Sequence, residues 1–265
     1  MHPIEQLRYV ARATGADSGL LVQEAAGALR VFGSEPAGLL TACRRLLSRQ
    51  PTVGPLWWLS SRMLCSPEPF VESRTSTELL ASDRTSRELA AAIPDGAVVL
   101  IVGWPDQAVT ALPRRGDVTV LIVDVEGQGT SVARRLSRAD VDCELIDPAQ
   151  LAGALDEADL VILEAAATGD AAALVGVGSV PAAATARAIG VPVWLLSGVG
   201  RRLPEPYWQA IVERTQTTGP RWLADHEVLG LGLVDRIVTS GGVVDPADRP
   251  APDCPFAPEL LISLA

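Results

Sequence analysis

The chain has 265 residues and a mass of 27.8 kDa, enough for one large domain or two small ones. It is 48% hydrophobic and 20% charged, with a formal net charge of −10, which argues against non-specific binding to nucleic acid or to an anionic membrane. No apolar run reaches the roughly 18–20 residues that cross a bilayer, and all 22 basic residues are arginine, which removes a Schiff-base or P-loop lysine.

The opening Met1-His2-Pro3-Ile4-Glu5-Gln6 lacks the basic-then-apolar layout of a signal peptide, so a cytoplasmic location is expected. The cysteines Cys43, Cys65, Cys143 and Cys254 have no C-x-x-C spacing and read as buried, reduced thiols. His2 and His226 are too few for a histidine-rich metal site. Neither a metal nor a cofactor is expected.

Up to residue 93 the periodicity is helical. Ile4, Leu7, Val10 and Ala11 repeat at helical spacing, as do Leu20, Leu21, Ala25, Ala28 and Leu29. Ser34-Glu35-Pro36 opens a helix that carries Leu39, Leu40, Cys43, Leu46 and Leu47 and stops at Pro51. Further helices are expected over 56–64 and 70–92. In the former, Trp57 and Trp58 point about 100° apart, one into the core and the other between domains or subunits.

From Pro94-Asp95-Gly96 the pattern changes to short β-rich runs that alternate with helical segments. Strands are expected over 97–103, 118–123, 143–146, 160–163, 191–196 and 234–238. Helices are expected over 107–112, 128–137, 148–155, 179–189 and 206–214. This alternation predicts an N-terminal helical bundle (1–93) and a Rossmann-like α/β domain (94–265), a mostly parallel sheet with helices on both faces. Ligands of such sheets sit beyond the carboxyl ends of the strands.

That rule selects the candidate residues. Gly176-Val177-Gly178-Ser179 stands before a helix, where glycines admit close backbone approach and unpaired N–H groups attract phosphate; Ser179 is equally a plain N-cap. Ser197-Gly198-Val199-Gly200-Arg201-Arg202 puts two guanidinium forks at a strand end, suited to phosphate oxygens or simply solvated. Glu164 and Asp170 flank an alanine run at the fourth strand's mouth and are the candidate acid–base residues. Asp124 and Glu126, at the second strand's end, are expected to face the same crevice, but the glycine spacing is not the G-x-G-x-x-G of a dinucleotide site.

Three segments carry a resemblance to a known family. Gln50-Pro51-Thr52-Val53-Gly54-Pro55-Leu56 through Arg62-Met63 is similar to its R-P-T-x-x-N-L-x-x-x-x-x-R-M segment. Leu160–Leu163 followed by Gly176-Val177-Gly178-Ser179, Ala182, Ala186 and Val191-Pro192-Val193 is similar to its G-A-D … N-K-I-G-T … A … I-P-V stretch. Leu233-Val234-Asp235-Arg236-Ile237-Val238-Thr239 resembles its C-terminal strand. The family comprises the alpha, beta and delta subunits of translation initiation factor 2B, methylthioribose-1-phosphate isomerase and ribose-1,5-bisphosphate isomerase.

The resemblance implies a helical domain, a Rossmann-like domain and a homodimer. In the isomerases it implies a cysteine after the first strand and an aspartate after the fourth, which move a proton between sugar carbons. Here the cysteine's place falls near Gly103-Trp104 and the aspartate's at Ala165, with Glu164 adjacent; a one-residue offset in a strand turns a side chain to the opposite face. The expectation is a protein that binds a phosphorylated sugar or nucleotide without isomerising it. The alternatives are an aldose–ketose isomerase using Glu164 with Asp106 or Asp170, and a structural assembly subunit without a ligand.

Overall fold

A computed structural model describes residues 18–125, 127–216, 220–248 and 251–262. The helix expected over Ile4 to Ala11, together with His2 and Glu126, lies outside the described residues. Proline in the first turn, where its missing N–H costs nothing, starts three of the leading helices. These helices are α1 (Ser18–Leu29), α2 (Pro36–Arg49), α3 (Gly54–Cys65) and α4 (Pro69–Ala81), followed by α5 (Thr85–Ala92). Glu35 rather than Ser34 occupies the cap of α2, and no side chain bonds the helix there. The single helix expected over 70–92 is interrupted because Asp83 accepts from the Thr85 N–H (2.9 Å) and hydroxyl (2.6 Å), which offers the backbone a fresh start.

The α/β part then runs β1 (Val98–Val102), α6 (Asp106–Ala111), β2 (Thr119–Val123), α7 (Gly129–Ser137), β3 (Asp142–Ile146), α8 (Leu151–Glu157) and β4 (Leu160–Thr168). It continues with β5 (Ala172–Gly176), α9 (Ser179–Ile189), β6 (Val193–Leu196), α10 (Glu205–Gln216), β7 (His226–Gly230), β8 (Arg236–Thr239) and β9 (Gly242–Val244). The strands order as β3-β2-β1-β4-β6-β8-β9, parallel except for β9. The order reverses between β1 and β4, which opens the crevice of a doubly wound sheet at their carboxyl ends. Alternation assigns the faces: Val99 and Ile101 of β1 pack toward α5, α6 and α7, Leu100 and Val102 toward α8 and α9.

Three strands escaped the sequence pattern. β4 runs past residue 163 because Ala165–Thr168 finds an antiparallel partner in β5, across a bulge between Ala165 and Ala167, and β7 pairs β5 in turn. Alanine and glycine give β5 a weak strand signal, and polar His226 and Glu227 mask β7. β9 has only three residues.

Packing crosses the chain division expected at residue 94. The helical core of α1, α2 and α3 continues into Ala167, Leu174, α10 and residues 254–260, whereas Leu89 and Ala90 of α5 pack with the sheet. Both tryptophans of α3 are buried, since bundle helices cover one side and α10 with the 251–262 segment the other. Trp58 fills the junction, its indole N–H donating to Asp253 O (3.0 Å). Ser61 and Tyr207 hydroxyls meet at 2.9 Å, and Tyr207 also accepts from Ala257 N–H (2.7 Å). Of the cysteines, all free, Cys43 and Cys254 are buried as expected and Cys143 partly so, but Cys65 is exposed because it ends α3 at the surface.

Burial pushes the Cys43 and Cys254 thiols and the Tyr207 phenol up to about 12. From the ordinary thiol value of 9.0 upward the unfolded chain binds fewer protons than the fold, so stability falls with rising pH until the folded groups ionise. Calorimetric melting temperatures are expected to decline steadily above about pH 9, with a shallower decline in Cys43→Ala.

Candidate functional site

Gly103 leaves β1 with φ +62°, a left-handed turn that glycine adopts without strain, and delivers Trp104 and Pro105 to the start of α6. The Trp104 indole N–H donates to Asp106 Oδ1 at 2.6 Å, which holds the ring against this loop.

On β4, Leu160 and Ile162 face the α6 layer, while Val161, Leu163 and Ala165 face the opposite one. Glu164 continues the first series. Its Oε2 accepts the Gln107 N–H (2.8 Å) in the first turn of α6, and its Oε1 pairs with Arg201 Nη1 (2.6 Å). Arg201 Nη1 also donates to Ala165 O (2.6 Å), and the two side chains are only 7% and 11% exposed. Gln107 Nε2 reaches Asp83 Oδ2 (2.9 Å), which takes the Val199 N–H as well (3.0 Å). A connected polar network thus ties the α4–α5 turn to α6, β4 and the loop after β6. Gly198 permits it, because a Cβ there would come within 2.1 Å of Gln107 Nε2.

Above the network, at the switch point, lies a cavity of about 560 Å³. One wall is the Gly103–Asp106 loop with Glu164 and Arg201; another is Gly176, Ser179, Asp225 and His226; Gln50, Thr52 and Pro55 close it from the helical side. Gly54 sets that last wall, since a Cβ at this residue would lie 2.5 Å from Ala166 O and hold α3 away from β4.

At the entrance of α9 the cap is Gly178, at φ +86°, and Ser179 is the first helical residue rather than the cap. The Val180 N–H goes to Glu227 Oε2 (2.8 Å), Pro181 has none, and the Ala182 N–H closes on Gly178 O (3.2 Å). The Ser179 N–H and hydroxyl are what this turn offers the cavity.

Of the residues singled out from sequence, Asp106, Glu164, Gly176, Ser179 and Arg201 line this cavity. Gly178 packs beneath it, where a Cβ would lie 3.0 Å from Val125. Asp170, Ser197 and Arg202 line a separate cavity of about 220 Å³, in which Arg202 Nη2 pairs with Asp170 Oδ1. The carboxylates Glu164 and Asp170 therefore do not share a site. Trp104 belongs to the loop after the first strand, which the carboxyl-end rule selects, whereas His226 carries no binding signal because it stands on a strand that the pattern does not show. Burial holds His226 below its ordinary range, against the raising influence of Asp225. Among the described residues no three His, Cys, Asp or Glu side chains cluster to hold a metal ion, and no helix is long and apolar enough to cross a membrane.

Solved structures share this fold. Translation initiation factor eIF-2B of Pyrococcus horikoshii OT3 aligns with a TM-score of 0.77 at 16% identity, over 94% of this chain and 98% of that one. The tetrameric eIF2B-beta2-delta2 complex of C. thermophilum gives 0.72 at 19% identity, over 92% and 91%. The 5-methylthioribose 1-phosphate isomerase of P. horikoshii OT3 gives 0.65 at 15% identity, over 92% and 84%. No protein-family model and no curated relative matches the sequence.

Proposed function

We propose that this chain is a binding protein built on the fold of the initiation factor 2B subunits and methylthioribose-1-phosphate isomerase, and that it takes a phosphorylated sugar or nucleotide into the β1/β4 cleft without isomerising it. The observation that carries the second half is the state of Glu164, whose two oxygens are committed to Arg201 and to the Gln107 N–H. Moving a proton between sugar carbons needs an acid and a base within hydrogen-bond reach of them. Asp106 takes the Trp104 indole, and Asp170 lies in the other cavity with Arg202. The cavity's volume suits a small metabolite; Ser179 supports an oxyanion contact and Trp104 a face for sugar or base. The likeness to a tetrameric assembly supports self-association as a homodimer, and the free thiols support a cytoplasmic setting.

The test is a thermal-shift screen with ribose 1,5-bisphosphate, methylthioribose 1-phosphate and AMP, beside an isomerase assay. A ligand at about 100 times its Kd adds about 2.7 kcal/mol, a rise of several degrees, with no turnover. Turnover abolished by Glu164→Gln would establish the isomerase instead. An unshifted melt at millimolar concentration of every compound would leave an assembly subunit without a ligand.

A further inference from the structure

The cleft is poor in positive charge for a site that holds an oxyanion. Its lining sets Asp106, Glu164 and Asp225 against one arginine, Arg201, which already pairs with Glu164. Glu227, the neighbour of His226 on β7, brings a further carboxylate to the entrance of α9. The strands and helices packed on β7 do not relieve this: β5 carries no charged residue, and Arg187 of α9 pairs with Asp235. His226 is the one other basic residue among the described residues of the lining. It stands in register with Gly176, two residues before the Gly178 cap of α9. Its partly buried imidazole has no hydrogen-bond partner among the described residues, and Asp225 is the charged neighbour that acts on it.

We infer that His226 is the proton-responsive contact of the cleft: protonated, it joins Ser179 in holding a ligand's oxyanion, and neutral, it leaves the surrounding carboxylates to repel one. This rests on the anion-binding role proposed above and adds to it the group that regulates affinity. Burial disfavours the charged ring, whereas a bound dianion supplies a counter-charge at the rim. Binding therefore draws a proton onto the ring, and affinity rises as pH falls.

The test uses sulfate, which stays doubly charged from pH 5.5 to 8.5, whereas phosphate titrates within that range. Titration calorimetry is run at ionic strength held constant with chloride, in buffers of differing ionisation enthalpy. Wild type is expected to bind sulfate about tenfold more tightly at pH 6 than at pH 8, with net proton uptake. His226→Gln should bind with the weak affinity of high pH throughout, and His226→Arg should bind tightly without pH dependence. Equal pH dependence in wild type and His226→Gln, or sulfate binding by wild type without proton uptake, overturns the inference and leaves the cleft's anion-binding role standing. Absence of sulfate binding by wild type at every pH overturns both. Should His226→Gln fail to fold, the wild-type proton count and His226→Arg decide the matter.

Discussion

Arg201→Ala is expected to destabilise the fold by about 3–5 kcal/mol, measured by guanidinium unfolding at pH 8. The loss comes less from the attraction removed than from what stays behind. Glu164 is 11% exposed, and without the guanidinium it keeps one hydrogen bond, from the Gln107 N–H, to offset the cost of removing a carboxylate from water. Ala165 O loses its donor at the same time. Removing both partners, as Glu164→Leu with Arg201→Met, should cost less than Arg201→Ala alone, since no buried charge remains unpaired. A double variant as unstable as the single one would show that packing, not charge, is what Arg201 supplies.

Trp57→Ala should cost about 3–5 kcal/mol, because four contributions are lost together. The side chain is fully buried, so its transfer free energy goes and a cavity opens. Its ring lies 5.3 Å from that of Tyr207, tilted by 43°, and the Arg214 guanidinium sits 4.9 Å over it. Its N–H donates to Pro51 O at 2.9 Å, just before the residues that wall the cleft. Trp57→Phe keeps most of the burial and drops the hydrogen bond, so its cost should be clearly smaller. A double cycle with Tyr207→Phe, which removes the hydroxyl bonded to Ser61 and Ala257 beside a ring that Trp57 touches, should give a coupling energy of about 0.5 kcal/mol or more. Measured stabilities within about 1 kcal/mol of wild type for Trp57→Ala would mean that the bundle can collapse around the void.

What the amino-acid order reveals here follows the strength of its periodicities. β1, and β2 after its leading Thr119, are unbroken runs of branched apolar residues and stand where the pattern puts them. β5 and β7 are strands because each completes the other's hydrogen bonds beyond the end of the parallel sheet, a tertiary cause that no local propensity carries. The placement of Glu164 follows from parity: one residue away from Ala165, it faces α6 and caps it. Proximity in sequence groups the consecutive arginines, yet neighbours in an extended segment diverge. Arg202 forms a parallel bridge to Thr168, and the two side chains enter different cavities. Glu227 at the α9 entrance was not legible either, since its partner lies 47 residues away.

The shared core of α3, α10 and residues 254–260 also governs the order of events during synthesis. Trp57 and Trp58 leave the ribosome long before Tyr207, Cys254 and Leu260, which complete their surroundings. A nascent chain must therefore carry two large indoles without their final cover until nearly 200 further residues have been added, a span over which loop-closure entropy slows assembly. Pausing or truncation before that point should leave an apolar, chaperone-dependent intermediate rather than an early-folding helical unit.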